Sequence, residues 1–177
     1  SVLVLSGETR RANLDAAAAA AGAAVPEFIE GDVADCDVAR RVVEGIEYVL
    51  HQAAMPSVPR SVADPVRANH ANINGTLSIL VAARDAGVKR LVFAGSSSVY
   101  GDAAELPKRE DMPYNPLSPY ALQKQVGEQY LKMFTALYGL ETVTIRYFNV
   151  FGPRQDPSSP YSGVISLFVK AASEGRS

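Results

Sequence analysis

The sequence contains no tryptophan, a single cysteine and two histidines among its 177 residues. One thiol, Cys36, cannot form an intrachain disulfide, which fits a reducing compartment. So few thiols and imidazoles argue against a His/Cys zinc site, and both Cys36 and His51 read as structural. Charge of one sign is also lacking. Seventeen basic and nineteen acidic side chains leave a net charge of −2. Nucleic-acid binders and membrane-surface proteins normally carry a basic face, so neither partner is expected. No apolar run approaches the roughly 18 residues of a membrane-spanning helix, and no signal peptide is visible. A cytoplasmic protein is the expectation. Glycine is present 13 times, yet no two glycines stand two or three positions apart. The G-x-G-x-x-G turn that cradles a pyrophosphate at a helix N-terminus is therefore absent. Together with a first residue run that reads as a strand and a last that reads as a helix, this suggests an internal segment of a longer protein.

What is present is 47% hydrophobic and 20% charged, the balance of an ordinary globular domain. Short β-rich runs alternate with helical stretches. Strands are predicted at Val2–Leu5, Glu27–Glu30, Tyr48–His51, Leu91–Ala94 and Thr142–Tyr147. Between them, helices are predicted through the alanine run Ala16–Ala21, from about Asp35 to Glu44, and from about Pro65 to Ala86 before Gly87. Another is expected to open at Ser118-Pro119 and run to about Tyr138 before Gly139, and a last one to span Val164–Ala172. This alternation predicts an α/β fold, a doubly wound parallel sheet with helices on both faces. In such sheets ligands bind beyond the carboxyl ends of the strands.

Two groups of polar residues fall where that rule directs attention. Tyr120 and Lys124 are four apart on a predicted helix and so share a face. A phenol with its pKa near 10 is a poor base at neutral pH, and a nearby ammonium favours the phenolate. Ser96, Ser97 and Ser98 directly follow a strand and bring hydroxyls to the sheet edge. Serines favour turns for their own sake. Combined with the Tyr/Lys pair they make a site suited to polarising an alcohol or carbonyl.

These residues, with Gly31-Asp32-Val33, His51-Gln52-Ala53-Ala54, Asn72-Ile73-Asn74-Gly75-Thr76 and Arg146-Tyr147-Phe148-Asn149-Val150-Phe151-Gly152, resemble the extended short-chain dehydrogenase/reductase family. Within it the likeness is to NAD-dependent nucleotide-sugar epimerases and dehydratases. It is closest in detail to UDP-N-acetylglucosamine 4-epimerases, through Gln52–Arg60 and the stretch ending Arg154–Pro157. The resemblance implies a Rossmann-like sheet that in this chain lacks the first strand and the glycine-rich turn. It implies a partial NAD-binding domain over residues 1–177, with the start of a substrate-binding region at about 150–177. Tyr120 would be the catalytic acid and base, with Lys124 lowering its pKa and bonding the nicotinamide ribose. Ser96 and Ser97 would bond the reacting sugar oxygen. Asp32 and Val33 would contact adenine, while Gln52, Ala53, Ala54, Met55 and Tyr147 would bind the cofactor, with Phe148 near its nicotinamide. Asn72 would support the active-site network. Asn149, Ser57 and Val164 would meet the UDP-sugar. Gly75 would permit close helix packing. The family's acid after its second strand is missing, since Ser6-Gly7 follow Val2–Leu5, and Arg10 and Arg11 stand nearby.

The residues also allow plainer roles: Asp32 as a cap on the next helix, Phe148 as core, and Asn72 as helix surface. The resemblance implies a homodimer that acts as a 4-epimerase by transient oxidation at C4, on UDP-GlcNAc/UDP-GalNAc or UDP-glucose/UDP-galactose. A 4,6-dehydratase or decarboxylase is the alternative within enzymes. A catalytically silent NAD-binding protein is the alternative outside them.

Overall fold

The computed structural model describes residues 2–5, 11–20, 22, 27–152 and 164–175. The chain divides into two units, Ser1–Arg146 and Tyr147–Ser177. In the first, β1 (Val2–Leu5) pairs in parallel with β2 (Glu27–Glu30), with Val4 opposite Ile29. Three further strands, β3 (Tyr48–His51), β4 (Arg90–Ser96) and β5 (Glu141–Tyr147), form a second sheet in the order β3-β4-β5. β3 and β4 are parallel, with His51 opposite Phe93. The parallel α/β architecture is as expected. The strands nevertheless stand as two sheets among the described residues, because no strand joins β1 to β3.

The helices follow their sequence signals closely. α1 spans Arg11–Ala20 across the alanine run. α2 (Cys36–Val43) is capped by the Asp35 carboxylate, which accepts from the Asp37 and Val38 amides. An unexpected short helix, α3 (Val58–Ala63), starts where the Ser57 hydroxyl accepts from the Arg60 amide. The single long helix expected from Pro65 is divided. α4 (Pro65–Asn69) passes into a π-helical turn, His70–Asn74, and then into α5 (Gly75–Asp85). The Thr76 hydroxyl donates to the Asn72 carbonyl at 2.7 Å there, a side chain entering the backbone ladder. α6 (Pro119–Tyr138) begins at the Ser118 cap and ends at Gly139, both as predicted. In the second unit, α7 covers Val164–Ser173.

The core lies between β2–β4 and helices α2, α5 and α6, around Ile29, Val43, Leu80, Leu91, Phe93 and Leu131. Gly75 fulfils its expected role, since a Cβ there would stand 3.1 Å from Val33 Cγ2. At Gly127 the approach is tighter. A Cβ would lie 2.7 Å from Phe93 Cζ, so any larger residue there requires the Phe93 ring or α6 to shift.

Candidate active site

β4 ends at Ser96, whose side chain starts the 3-10 turn Ser97–Tyr100. The Ser96 oxygen accepts from the Ser98 amide at 3.2 Å and from the Ser98 hydroxyl at 2.8 Å. Its own proton enters no hydrogen bond among the described residues and can turn toward the Tyr120 phenol. Burial raises the pKa of Tyr120, and the Ser96 hydroxyl opposes that rise, because a donor turned to the phenolic oxygen favours the phenolate. Ser97 is half-buried beside Ser96 at the start of the turn.

Lys124 is buried, with 3% of its surface exposed. Its Nζ donates to the Ala94 carbonyl at 2.8 Å and stands 4.7 Å over the Phe93 ring and 5.8 Å over the Tyr120 ring. Desolvation lowers its pKa to about 8. Tyr120 and Lys124 therefore do share a helix face. The expected lowering of the phenol by the lysine is not what the structure shows: Tyr120 is raised, and the opposing influence comes from Ser96. The ammonium is spent on a backbone carbonyl and two rings rather than on the phenolic oxygen.

Beneath the pair, His51 stacks on Phe93 at 5.7 Å and bonds Thr76 Oγ1 at 3.1 Å. Burial, then the Lys124 charge, lowers its pKa to about 3, so it is a neutral structural ring, as expected. Asn72 is buried, not helix surface. Its Oδ1 accepts from the Met55 amide at 2.7 Å, and its Nδ2 donates to Gln123 Oε1 at 2.8 Å and to the Met55 carbonyl at 3.3 Å. The segment after β3 that includes Gln52, Ala53, Ala54 and Met55 is thus tied to the π turn and to α6. Gln52 is exposed in it, and the other three are half-buried. Val33 is buried on the core side of the loop after β2. Asp32 is exposed; its carboxylate accepts from the Ala34 amide at 2.9 Å and stands 3.6 Å from His70 Nε2. The helix cap is Asp35 instead, so the plainer reading of Asp32 does not hold.

Three participants escape sequence reasoning. The fully buried Ser61 accepts from the Tyr120 amide at 3.0 Å, an N–H that α6 cannot satisfy within its own first turn. Gln123 is the partner of Asn72. Glu128, two turns beyond Tyr120 on α6, is buried in a bridge to Arg146, and only its unusual place on an apolar helix face could have revealed it. Tyr147, Phe148 and Asn149 belong to the second unit, as does Val164, which opens α7 and whose side chain lies outside the described residues. Ser6, Gly7 and Arg10 lie outside them as well, as does the Arg11 side chain. No cluster of three or more metal-ligating side chains occurs among the described residues. No described helix is long and apolar enough to cross a membrane.

A hydroxyl turn at a strand end, a tyrosine opening the next helix and a buried lysine one helical turn on thus stand on a parallel α/β frame. The chain matches the NAD dependent epimerase/dehydratase family over residues 1–177 and belongs to that family. It is 44% identical over 152 residues to the UDP-glucose 4-epimerase of Mycolicibacterium smegmatis, covering 85% of this chain and 48% of that protein. The UDP-N-acetylglucosamine 4-epimerase of Methanobrevibacter ruminantium, solved with UDP-N-acetylmuramic acid, is 44% identical with a TM-score of 0.81, over 86% of this chain and 49% of that one. A dTDP-glucose 4,6-dehydratase of Streptomyces venezuelae, solved with NAD bound, is 32% identical with a TM-score of 0.84, over 98% of this chain and 52% of that one. The chain spans about half the length of these relatives.

Proposed function

We propose that the protein containing this chain is an NAD-dependent UDP-sugar 4-epimerase, acting on UDP-GlcNAc/UDP-GalNAc or UDP-glucose/UDP-galactose. The observation that carries this is Tyr120 and buried Lys124 one helical turn apart on one face of α6, with Nζ 5.8 Å over the Tyr120 ring, and the hydroxyl turn at the end of β4. The residues suit a dinucleotide. Lys124 has one hydrogen-bond acceptor, Ala94 O, among the described residues, which leaves two N–H groups for a ribose diol. Ala53, Ala54 and Met55 offer small or flexible side chains beside the site, and Asp32 offers an exposed carboxylate for an adenine amino group. Gln52, Val33, Asn72, Tyr147 and Phe148 complete the cofactor set. NAD supplies reversible hydride acceptance at the sugar C4.

The phenolate of Tyr120 takes the C4 hydroxyl proton and later returns it to the same oxygen. Ser96 and Ser97 hydrogen-bond that oxygen and hold it in reach. Ser57, Asn149 and Val164 contact the nucleotide sugar. The Ser57 hydroxyl caps α3 as an acceptor, which leaves its proton for a sugar oxygen. A second copy of the chain is the expected partner across Leu122, Met133 and Leu137, an exposed apolar stripe along α6, beside exposed Val66 of α4. We further read the protein as cytoplasmic.

A dehydratase must also remove a C5 proton and protonate the departing C6 oxygen. The family resemblance implies an Asp-Glu pair just before Val-Tyr-Gly in such dehydratases; here those positions are Ser97 and Ser98, whose hydroxyls cannot serve as carboxyl acid and base near neutral pH. Incubating the full-length protein separately with UDP-GlcNAc and UDP-glucose, and resolving the 4-epimers, tests the reading. Interconversion of either pair supports it, and inertness toward both speaks for a silent NAD-binding protein.

A further inference from the structure

Ser96 and Tyr120 stand on two separate elements, the end of β4 with the turn after it and the first turn of α6. Their relative placement depends on how those elements are fixed to each other. Behind the turn lies a second apolar cluster of Val99, Tyr100 and Met112, with Tyr114 packed on it. Arg146, at the end of β5, runs through this cluster. Its Nη2 donates to Glu128 Oε2 at 2.9 Å and its Nε to Oε1 at 3.1 Å, while Tyr114 donates to the same Oε2 at 2.9 Å. The other arm, Nη1, donates to Tyr100 Oη at 2.9 Å and to the Glu110 carbonyl at 3.3 Å. The guanidinium also lies 4.9 Å from the Tyr100 ring centre and 5.0 Å from that of Tyr114.

The two ends of this strut matter. Glu128 follows Tyr120 and Lys124 at the same four-residue spacing, so all three share one face of α6. Tyr100 closes the 3-10 turn that begins at Ser97. A buried ion pair is weak evidence for stability, since apolar residues of similar volume often serve as well. What a forked guanidinium adds is one fixed geometry. We propose that Arg146, forked between Glu128 and Tyr100, is a positioning residue that fixes the Ser97–Tyr100 turn against α6 and so sets the placement of Ser96 relative to Tyr120. The inference rests on the reading of Tyr120 as the proton-transfer group.

Tyr100→Phe and Arg146→Lys in the full-length enzyme test it. The first removes one hydroxyl and keeps the ring; the second keeps the charge and loses the fork. Three quantities are read: the melting temperature, kcat and KM against pH, and the Tyr120 titration. The titration is the ultraviolet difference between each protein and its Tyr120→Phe counterpart. In Tyr100→Phe the melting temperature should stay close to the parental value, and kcat should fall roughly tenfold or more with little change in KM. The acid limb of kcat and the Tyr120 titration should both move to higher pH, because the phenolate has lost its donor. Arg146→Lys should move them further. Tyr120 titrating at its parental pH in both variants would overturn the inference. So would a loss of activity that only tracks loss of folded protein. The titration needs no sugar, so failure of the parental enzyme on both UDP-sugars would count against the epimerase reading and leave this inference to be decided separately.

Discussion

Burial sets the ionisation of the groups best placed for proton work. Tyr120 is raised and Lys124 is lowered to about 8, each because the charged form loses water. Removing the phenolic oxygen removes the proton acceptor but keeps the ring. Tyr120→Phe should therefore lower kcat by roughly 10²–10⁴-fold while leaving NAD affinity close to parental, measured by turnover and by calorimetry. His51 gives a second test. Its folded pKa, about 3, lies below the ordinary 6.5, so the unfolded chain takes up that proton first. Its contribution to stability is complete above pH 6.5 and is lost as pH falls from 6.5 toward 3, by about 1.4 kcal/mol per pH unit. The His51 ring resonances should hold still between pH 6.5 and 5; titration near 6.5 would show the burial to be wrong. Tyr120, Lys124 and Ser96 stand out in the sequence through residue type, spacing and the strand and helix they fall on. Ser61, Gln123 and Glu128 do not, because each acts through a partner far along the chain.

At the scale of the element, α6 does most to assemble the site. It carries Tyr120, Gln123, Lys124 and Glu128, and its ends are written in the sequence as Ser118-Pro119 and Gly139. Its seat on β4 depends on Gly127. An alanine there gains about 1 kcal/mol in helix propensity. Its Cβ would also press on Phe93, a ring confined between His51 and the Lys124 ammonium. We expect Gly127→Ala to lower unfolding free energy by about 1–3 kcal/mol in a denaturant titration, and a neutral or stabilising result would contradict this packing. The π turn at His70–Asn74 was hidden for a related reason. Periodicity predicts one unbroken helix across it, whereas the turn is stitched by Thr76 to Asn72 and by Asn72 to Met55, contacts that no local pattern encodes.

At the scale of the whole molecule, the alternation of strands and helices predicted a single parallel sheet, and the described strands form two. The resemblance implies a sheet lacking its first strand, and among the described residues the break falls between β1 and β3. The reaction is decided by the assembled site. On the proposed reading, the hydroxyls at Ser97 and Ser98 with the phenol at Tyr120 would serve proton exchange at the C4 oxygen, whereas neither serine could act as a carboxyl acid or base at C5. The most direct test follows UDP-GlcNAc or UDP-glucose labelled with deuterium at C4 through the full-length enzyme by mass spectrometry and NMR. The account predicts 4-epimers of unchanged mass with the deuterium still at C4, because the same hydrogen leaves and returns. Deuterium found at C6, in a product lighter by one water, would contradict it.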